Sequence, residues 1–241
     1  MAVLIPLPRL ALMLVPTAMV IGLMLYHHIP IRGYLWALAR MVVQLLLVGY
    51  VLVYLFLAES AWPILGVMVV MTTVAAWISL RTVPAYRRRM YGHALLALVL
   101  GGGSILLLVT QGVLGARPWY HPQTVIPLGG MIFANVMNGI SLAADRLQVE
   151  LERGTPWLPA RGVALNTALI PITNALLSVG LVSLPGMMTG QILAGVSPLI
   201  AVRYQIMVML MIFSAIGLSV WGFLWLSQGV WKEIFALHGN G

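Results

Sequence analysis

LIPITNALLSVGLVSLPGMMTGQILAGVSPLIAVRYQIMVMLM, residues 169–211, decides how the rest of the chain is read. The stretch begins apolar enough to cross a bilayer and breaks at Pro185-Gly186. It continues as a Gly-spaced, Met-rich segment, breaks again at Pro198 and ends apolar. No soluble core helix needs such a pattern. In hydrocarbon, an interrupted segment survives only where protein or a water-filled cavity satisfies the backbone groups that the break frees. Transporters hold their substrates at interrupted helices of this kind. The stretch therefore points to a hinge on a transport path.

The composition around it agrees. Of 241 residues, 61% are hydrophobic and 7% are charged, against about 25% charged in an ordinary soluble domain. So many apolar side chains cannot all be buried internally, and lipid must solvate the rest. Cysteine is absent, which excludes disulfides, thiolate metal sites and cysteine nucleophiles. The net charge of +8 comes from 13 basic against 5 acidic residues. The arginines sit between hydrophobic runs, so the excess is read as topology and contact with anionic lipid headgroups, not as nucleic-acid binding. Arg9 and the apolar run after it resemble a signal peptide. The run ends in Tyr26-His27-His28-Ile29-Pro30 without a small-residue cleavage site, and is read as a retained first span.

A crossing takes about 20 apolar residues. Seven candidates follow, at about 10–26, 41–58, 62–80, 94–115, 125–144, 163–184 and 204–226. The expected fold is all-α, a polytopic membrane helix bundle forming one transmembrane domain over 1–241, with a broken or re-entrant segment near 185–203. Residues 29–40 read as an interfacial amphipathic helix with Tyr34 and Trp36 at headgroup depth. Only Arg9, Arg117 and Arg203 fall on one side of the expected membrane, and the remaining ten of the 13 basic residues on the other. The richer side is then cytoplasmic, which puts the N-terminus outside and the C-terminus inside.

Polar residues are informative where they are costly. Glu59, Asp145, Glu150, Glu152 and Glu233 all lie at or near the ends of expected spans. Proton- and sodium-coupled carriers place a carboxylate within the membrane, so its absence implies that energy enters from the cytoplasm. The spans carry neutral amides instead. Asn135 and Asn138 are three apart and share a helix face. Gln44 and Asn174 lie in other spans, and Thr189 and Gln191 in the broken segment. Each one alone is accounted for by interhelical hydrogen bonding worth about 0.6 kcal/mol. As a set, their amide oxygens could replace water around a cation. The thioethers of Met187 and Met188 suit soft ions, although methionine is equally an apolar filler. Met187, Met188 and Gln191 are the candidate metal contacts. Gly186 with Gly190, and Gly130 with Ala134, are small-xxx-small pairs that let helices approach. Gly101-Gly102-Gly103 marks a close contact or a flexible point in the fourth span. No zinc spacing and no Gly-x-Ser-x-Gly occurs. No catalytic residue is expected, and the chain does not read as an enzyme.

LPGMMTGQILAG (184–195), followed by Pro198 and by Ala201-Val202-Arg203-Tyr204-Gln205-Ile206, resembles the FetB-type permease family of ABC transporters. Further matches are Arg40 with Gln44-Leu45, Ile126-Pro127 with Gly130-Met131 and Asn135, and Ala168-Leu169-Ile170-Pro171. The likeness covers roughly 40–226. It implies a permease of the cytoplasmic (inner) membrane, present as a homodimer, that exports metal ions such as iron. It also implies a separate cytoplasmic ABC ATPase subunit that binds ATP and Mg, with no cofactor in this chain. By the same resemblance, Glu150, Glu152, Gly154, Thr155 and Pro156 correspond to the loop that couples such permeases to their ATPase. Here Gly154 is followed directly by Thr155, and Pro159 lies close behind. The expected path and gate comprise Asn135, Asn138, Asn174, Pro185, Gly186, Met187, Met188 and Gln191. The competing expectation is an ATP-independent channel or carrier for metal ions or small solutes.

Overall fold

A computed structural model describes residues 6–57 and 60–235, and every regular element among them is a helix. Glu59, read as lying near a span end, is outside the described residues. Nine helices follow one another: α1 (Pro8–Tyr26), α2 (Arg32–Phe56), α3 (Ala61–Ser79), α4 (Arg87–Val113), α5 (Pro122–Glu152), α6 (Trp157–Ser178), α7 (Gly186–Leu193), α8 (Pro198–Leu226) and α9 (Gln228–Ile234). Six of them, α1 to α5 and α8, are long and apolar enough to cross a membrane. The protein is a polytopic all-α integral membrane protein.

Residues up to Leu57 form one compact unit, and the residues beyond it form a second. In the first unit, α1 ends where His27 and His28 leave the helix, His28 with a positive φ of 56°. Pro30 then prevents continuation, since it has no N–H to give. The expected interfacial helix and second span are instead one helix of 25 residues. Nothing between Ile31 and Phe56 breaks it, and Arg40 is tolerated within it. With the Gln44 amide oxygen turned toward it, Arg40 donates from Nε at 3.0 Å and from Nη2 at 3.2 Å, one turn along the helix.

In the second unit α5 is central, packing against α3, α6 and α8, while α8 also packs against α4, α6 and α7. Small residues set these approaches. A Cβ on Gly101 would lie 2.7 Å from the backbone N and Cα of Ser219, so α4 and α8 touch backbone to backbone there. The middle glycine, Gly102, faces Ile132 of α5, and Gly103 faces open space. The α5 contacts fall on Gly129, against Met68, and on Gly139, against Ile216 and Val220, more than on the expected Gly130 and Ala134. Gly186 and Gly190 meet nothing within 4 Å in this chain. Two stretches of α4, Leu98–Gly103 and Leu108–Val113, are wound as π-helix, a local widening that recurs at functional positions in helices.

Helix α4 begins seven residues before the expected span because Arg87 secures its first turn. Its Nε and Nη2 donate to the Trp77 carbonyl at 2.9 and 2.6 Å, and its guanidinium lies 3.8 Å over the Trp77 ring. One of the orphan carbonyls at the α3 C-terminus is thereby satisfied. At the far end of the chain, α9 is held by Trp231, which is fully buried and edge-on to Tyr86. Arg89 adds an exposed ion pair to Glu233 at 2.6 Å.

Replacement of Gly101 by alanine should lower stability by about 1–3 kcal/mol through overpacking. Gly103→Ala should be neutral or stabilising by up to about 1 kcal/mol. Thermal unfolding of both variants in the same detergent checks the pair. The hydrogen bond from Arg89 holds the Glu233 carboxyl below the usual carboxylate range. Because the folded value is depressed, the α4–α9 link is present above the ordinary carboxylate pKa and is lost as pH falls through the Glu233 value. A carbon NMR titration of Glu233 should give a midpoint below that of a free glutamate, and Arg89→Gln should restore the ordinary one.

Candidate functional site

The expected sixth span, 163–184, stops early. Helix α6 ends at Ser178, and Val179 turns to extended geometry, with Gly180 at a φ of +84°. The chain then closes on itself. The Ser178 carbonyl accepts from the N–H of Val182 at 2.8 Å, and the Ser183 carbonyl accepts from the N–H of Gly180 at 2.9 Å. Pro185 does not end the preceding helix, as the sequence suggested. It is the N-cap of α7, with Gly186 as the first helical residue. The break therefore begins six residues before the proline. After α7, Gly195 at a φ of +93° and Pro198 at the first position of α8 reverse the chain a second time. Helix α6 carries Arg161, Asn166, Thr173 and Asn174 and is absent from the six apolar crossings.

Two cavities border α6. The first, of about 110 Å³, is a narrow cleft between α5, α6 and α8. Asn135, Asn138, Pro171 and Ile216 are among its walls. Asn135 is half-buried and donates from Nδ2 to the Met131 carbonyl at 2.8 Å. Its amide oxygen is thus the group left to face the cleft. Asn138 is exposed on the same wall.

The second cavity, of about 310 Å³, lies under the break between the end of α6, α7 and α8. Met188, Gln205 and Met209 line it among aliphatic side chains. No residue lines both cavities. Gln191 is half-buried on α7 and its Oε1 is buried without a partner. Met187 packs against the core, and Asn174 is exposed and lines neither cavity. The set read as one path is thus brought together in two groups, with Asn174 outside both.

Gln205 was absent from the sequence-derived site. It is 6% exposed, and its Oε1 has no hydrogen-bond partner. Helical periodicity could have found it. Ala201, Gln205, Val208 and Ile212 recur at i, i+4, i+7 and i+11, the buried stripe of α8.

The acidic stretch is the last turn of α5, and it closes onto the turn that follows. Glu150 is 7% exposed, and its Oε1 accepts from Arg146 Nη2 at 2.6 Å and faces Arg153 Nη1 at 3.6 Å. Its Oε2 accepts from the Thr155 hydroxyl at 2.9 Å. Gly154, at a φ of +79°, supplies the left-handed residue the turn requires. Pro156 caps α6. Glu152 is exposed and accepts only from Gln148, at 2.7 Å. Glu150 therefore ties the last turn of α5 to the turn that leads into α6, and Glu152 is exposed at the surface. Among the described residues, no group of three or more His, Cys, Asp or Glu side chains converges as a metal site.

Helices of this length and apolarity define a multi-span membrane protein. The chain belongs to the family described as "Uncharacterised protein family (UPF0014)", whose model matches residues 7–157 and 157–231. It is 33% identical to the "Probable iron export permease protein FetB" of Escherichia coli over 87% of this chain and 85% of that protein. It is 34% identical to the "UPF0014 membrane protein STAR2" of Oryza sativa over 84% of this chain and 75% of STAR2. With "Protein ALUMINUM SENSITIVE 3" of Arabidopsis thaliana the identity is 31%, over 77% of this chain and 72% of that protein. No solved structure matches the chain.

Replacing Glu150 by alanine should destabilise the protein by about 1–3 kcal/mol, since a charge-assisted bond is lost and Arg146 is left unpaired. Glu152→Ala should stay within about 0.5 kcal/mol of the parent, as surface changes do. Urea or thermal unfolding of the two variants distinguishes a joint from a surface charge.

Proposed function

We propose that this chain is the membrane-spanning permease subunit of an ABC transporter that exports metal ions such as iron, using ATP hydrolysed by a separate cytoplasmic subunit. The observation that carries the reading is the 33% identity, over 87% of the chain, to a protein named a probable iron export permease. The geometry is consistent with it in two respects. Neither cavity has a carboxylate in its lining, so a coupling proton or sodium ion has no carboxylate there to load. The Glu150 turn between α5 and α6 is a rigid end on which an ATPase can act.

In this proposal the membrane is the cytoplasmic one, with the N-terminus outside and the C-terminus inside. That orientation needs an odd number of crossings, and α6 is the seventh. Its 22 residues span about 33 Å, sufficient for a hydrocarbon core of about 30 Å. Its polar side chains are then shielded by α5, α8 and a second copy of the chain. Two copies face each other. Asn135 and Asn138 offer amide oxygens to the ion, and α7, with Met187, Met188 and Gln191, gates the passage about Pro185-Gly186. The ATPase contacts residues 150–156, chiefly through Glu152 and the turn backbone. ATP and Mg belong to that partner.

Inverted vesicles containing this chain and its ATPase should accumulate iron only when ATP is supplied. Equal uptake without ATP would establish the channel or carrier instead, and no uptake under either condition would remove the proposal. In the same assay Asn138→Leu and Gln191→Leu should each cut the initial rate by about tenfold, since a charged cargo loses a hydrogen-bonding-type contact worth 1.5–3 kcal/mol.

A further inference from the structure

We propose that a groove between α4 and α8 binds an anionic phospholipid of the bilayer, its phosphate at Arg203 and one acyl chain laid along the groove. The proposal uses only the membrane character of these two helices and does not rest on the transport reading. The groove, of about 360 Å³, lies on the α4 side of α8 and shares Ile206 and Leu210 with the cavity under the break. Its α4 wall is Ile105, Leu108, Val109 and Val113, the last three from the second π-wound stretch. Its α8 wall runs from Arg203 to Ser214, and these two are the lining residues with nitrogen or oxygen in the side chain. Arg203 is exposed, and among the described residues it has no hydrogen bond, ion pair or ring contact. The sequence motif that contains it has no part in the path or the coupling loop.

Two lengths fit a lipid to this groove. Helix α8 has 29 residues, about 43 Å at 1.5 Å per residue, and overshoots a hydrocarbon core of about 30 Å by about 13 Å. Shared between its ends, the excess leaves Arg203, about 8 Å from the start of α8, at the hydrocarbon boundary, where phosphates lie. From Arg203 to Ser214 the groove is about 16 Å long, against about 15 Å for one leaflet, half of the core. The acyl chain gains packing only, because other lipid tails are as apolar as this wall. Preference is therefore decided at the headgroup. There the guanidinium offers its fork of donors to phosphate oxygens. A zwitterionic lipid has the same phosphate, but its own cation then lies near Arg203, and the lining has no carboxylate to receive it. An anionic headgroup brings no such cation. A detached phosphate gains nothing from the apolar wall.

The test uses the full chain in phosphatidylcholine nanodiscs doped with phosphatidylglycerol or phosphatidylcholine that carries a photoreactive diazirine at mid-chain, with adducts mapped by mass spectrometry. Phosphatidylglycerol should label Leu108, Val109, Leu210 or Met211 about fivefold more than phosphatidylcholine does, the contribution of one arginine at an anionic lipid surface. Arg203→Gln should bring the two lipids to parity in the groove and leave labelling at the opposite end of α4 unchanged. Arg203→Lys should keep a preference, since the charge remains. Leu108→Trp, at an exposed position on the groove wall, should block both lipids there. An excess of glycerol 1-phosphate should displace neither, and its success would mark a site for free anions and overturn the proposal. Equal labelling by the two lipids in the parent would also overturn it, even if Arg203→Gln failed to accumulate, as would a preference that survives Arg203→Gln. Benzoylphenylalanine placed at position 108 should crosslink to lipid; crosslinks to a second copy or to α1 and α2 would show that protein fills the groove instead.

Discussion

Hydrocarbon cannot hydrogen-bond to a peptide group, so every departure from helix within this protein must close its own bonds. The break after α6 does so within six residues: carbonyls at Ser178 and Ser183 take back the N–H groups of Val182 and Gly180. The reversal after α7 returns the N–H of Val196 to the Gln191 carbonyl at 3.0 Å. At the end of α4, the N–H of Ala116 bonds the Thr110 carbonyl at 2.9 Å. The turn after α6 itself borders the second cavity, at Val179, Gly180 and Leu184, while the asparagine cleft is bordered by helical residues alone. Between them the two linings carry three amides, Asn135, Asn138 and Gln205, and two thioethers, Met188 and Met209, among aliphatic residues.

The second unit is held by contact rather than by charge. Helices α4 and α8 meet where Gly101 abuts Ser219, and α5 meets α8 at Gly139. In a lipid solvent there is little hydrophobic gain in pressing apolar helices together, and close packing of small residues supplies the attraction instead. Charges are left to the ends of the helices. Arg87 closes α3, Arg89 reaches α9, and Glu150 gathers Arg146, Arg153 and Thr155.

Much of the fold was legible in the sequence, because apolar runs of crossing length leave few alternatives. The all-α class and the interruption between α6 and α8 follow from residue type; Pro198 was read as a second break with the last span starting at 204, whereas it is the first residue of α8. What failed did so for local reasons. Arg40 seemed to mark a boundary, yet an i+4 glutamine lets it remain within α2. Pro185 drew the break toward itself, although proline is as well suited to begin a helix as to end one, and Gly180 makes the turn. Asn135 and Asn138 were placed on one face correctly, because that depends only on helical spacing. Asn174 was grouped with them from sequence depth alone, which carries no information about which neighbour a face meets. Gln205 was passed over because it was read as part of a motif rather than as a position on the buried stripe of α8.

The turn at Glu150 has a mechanical meaning. A flexible linker between α5 and α6 would absorb force as slack. This one is clamped by a buried carboxylate that ties the end of α5 to Arg153 and Thr155 of the turn, so the chain entering α6 is fixed to the α5 end. Helix α5 borders the asparagine cleft, and α6 borders both cavities.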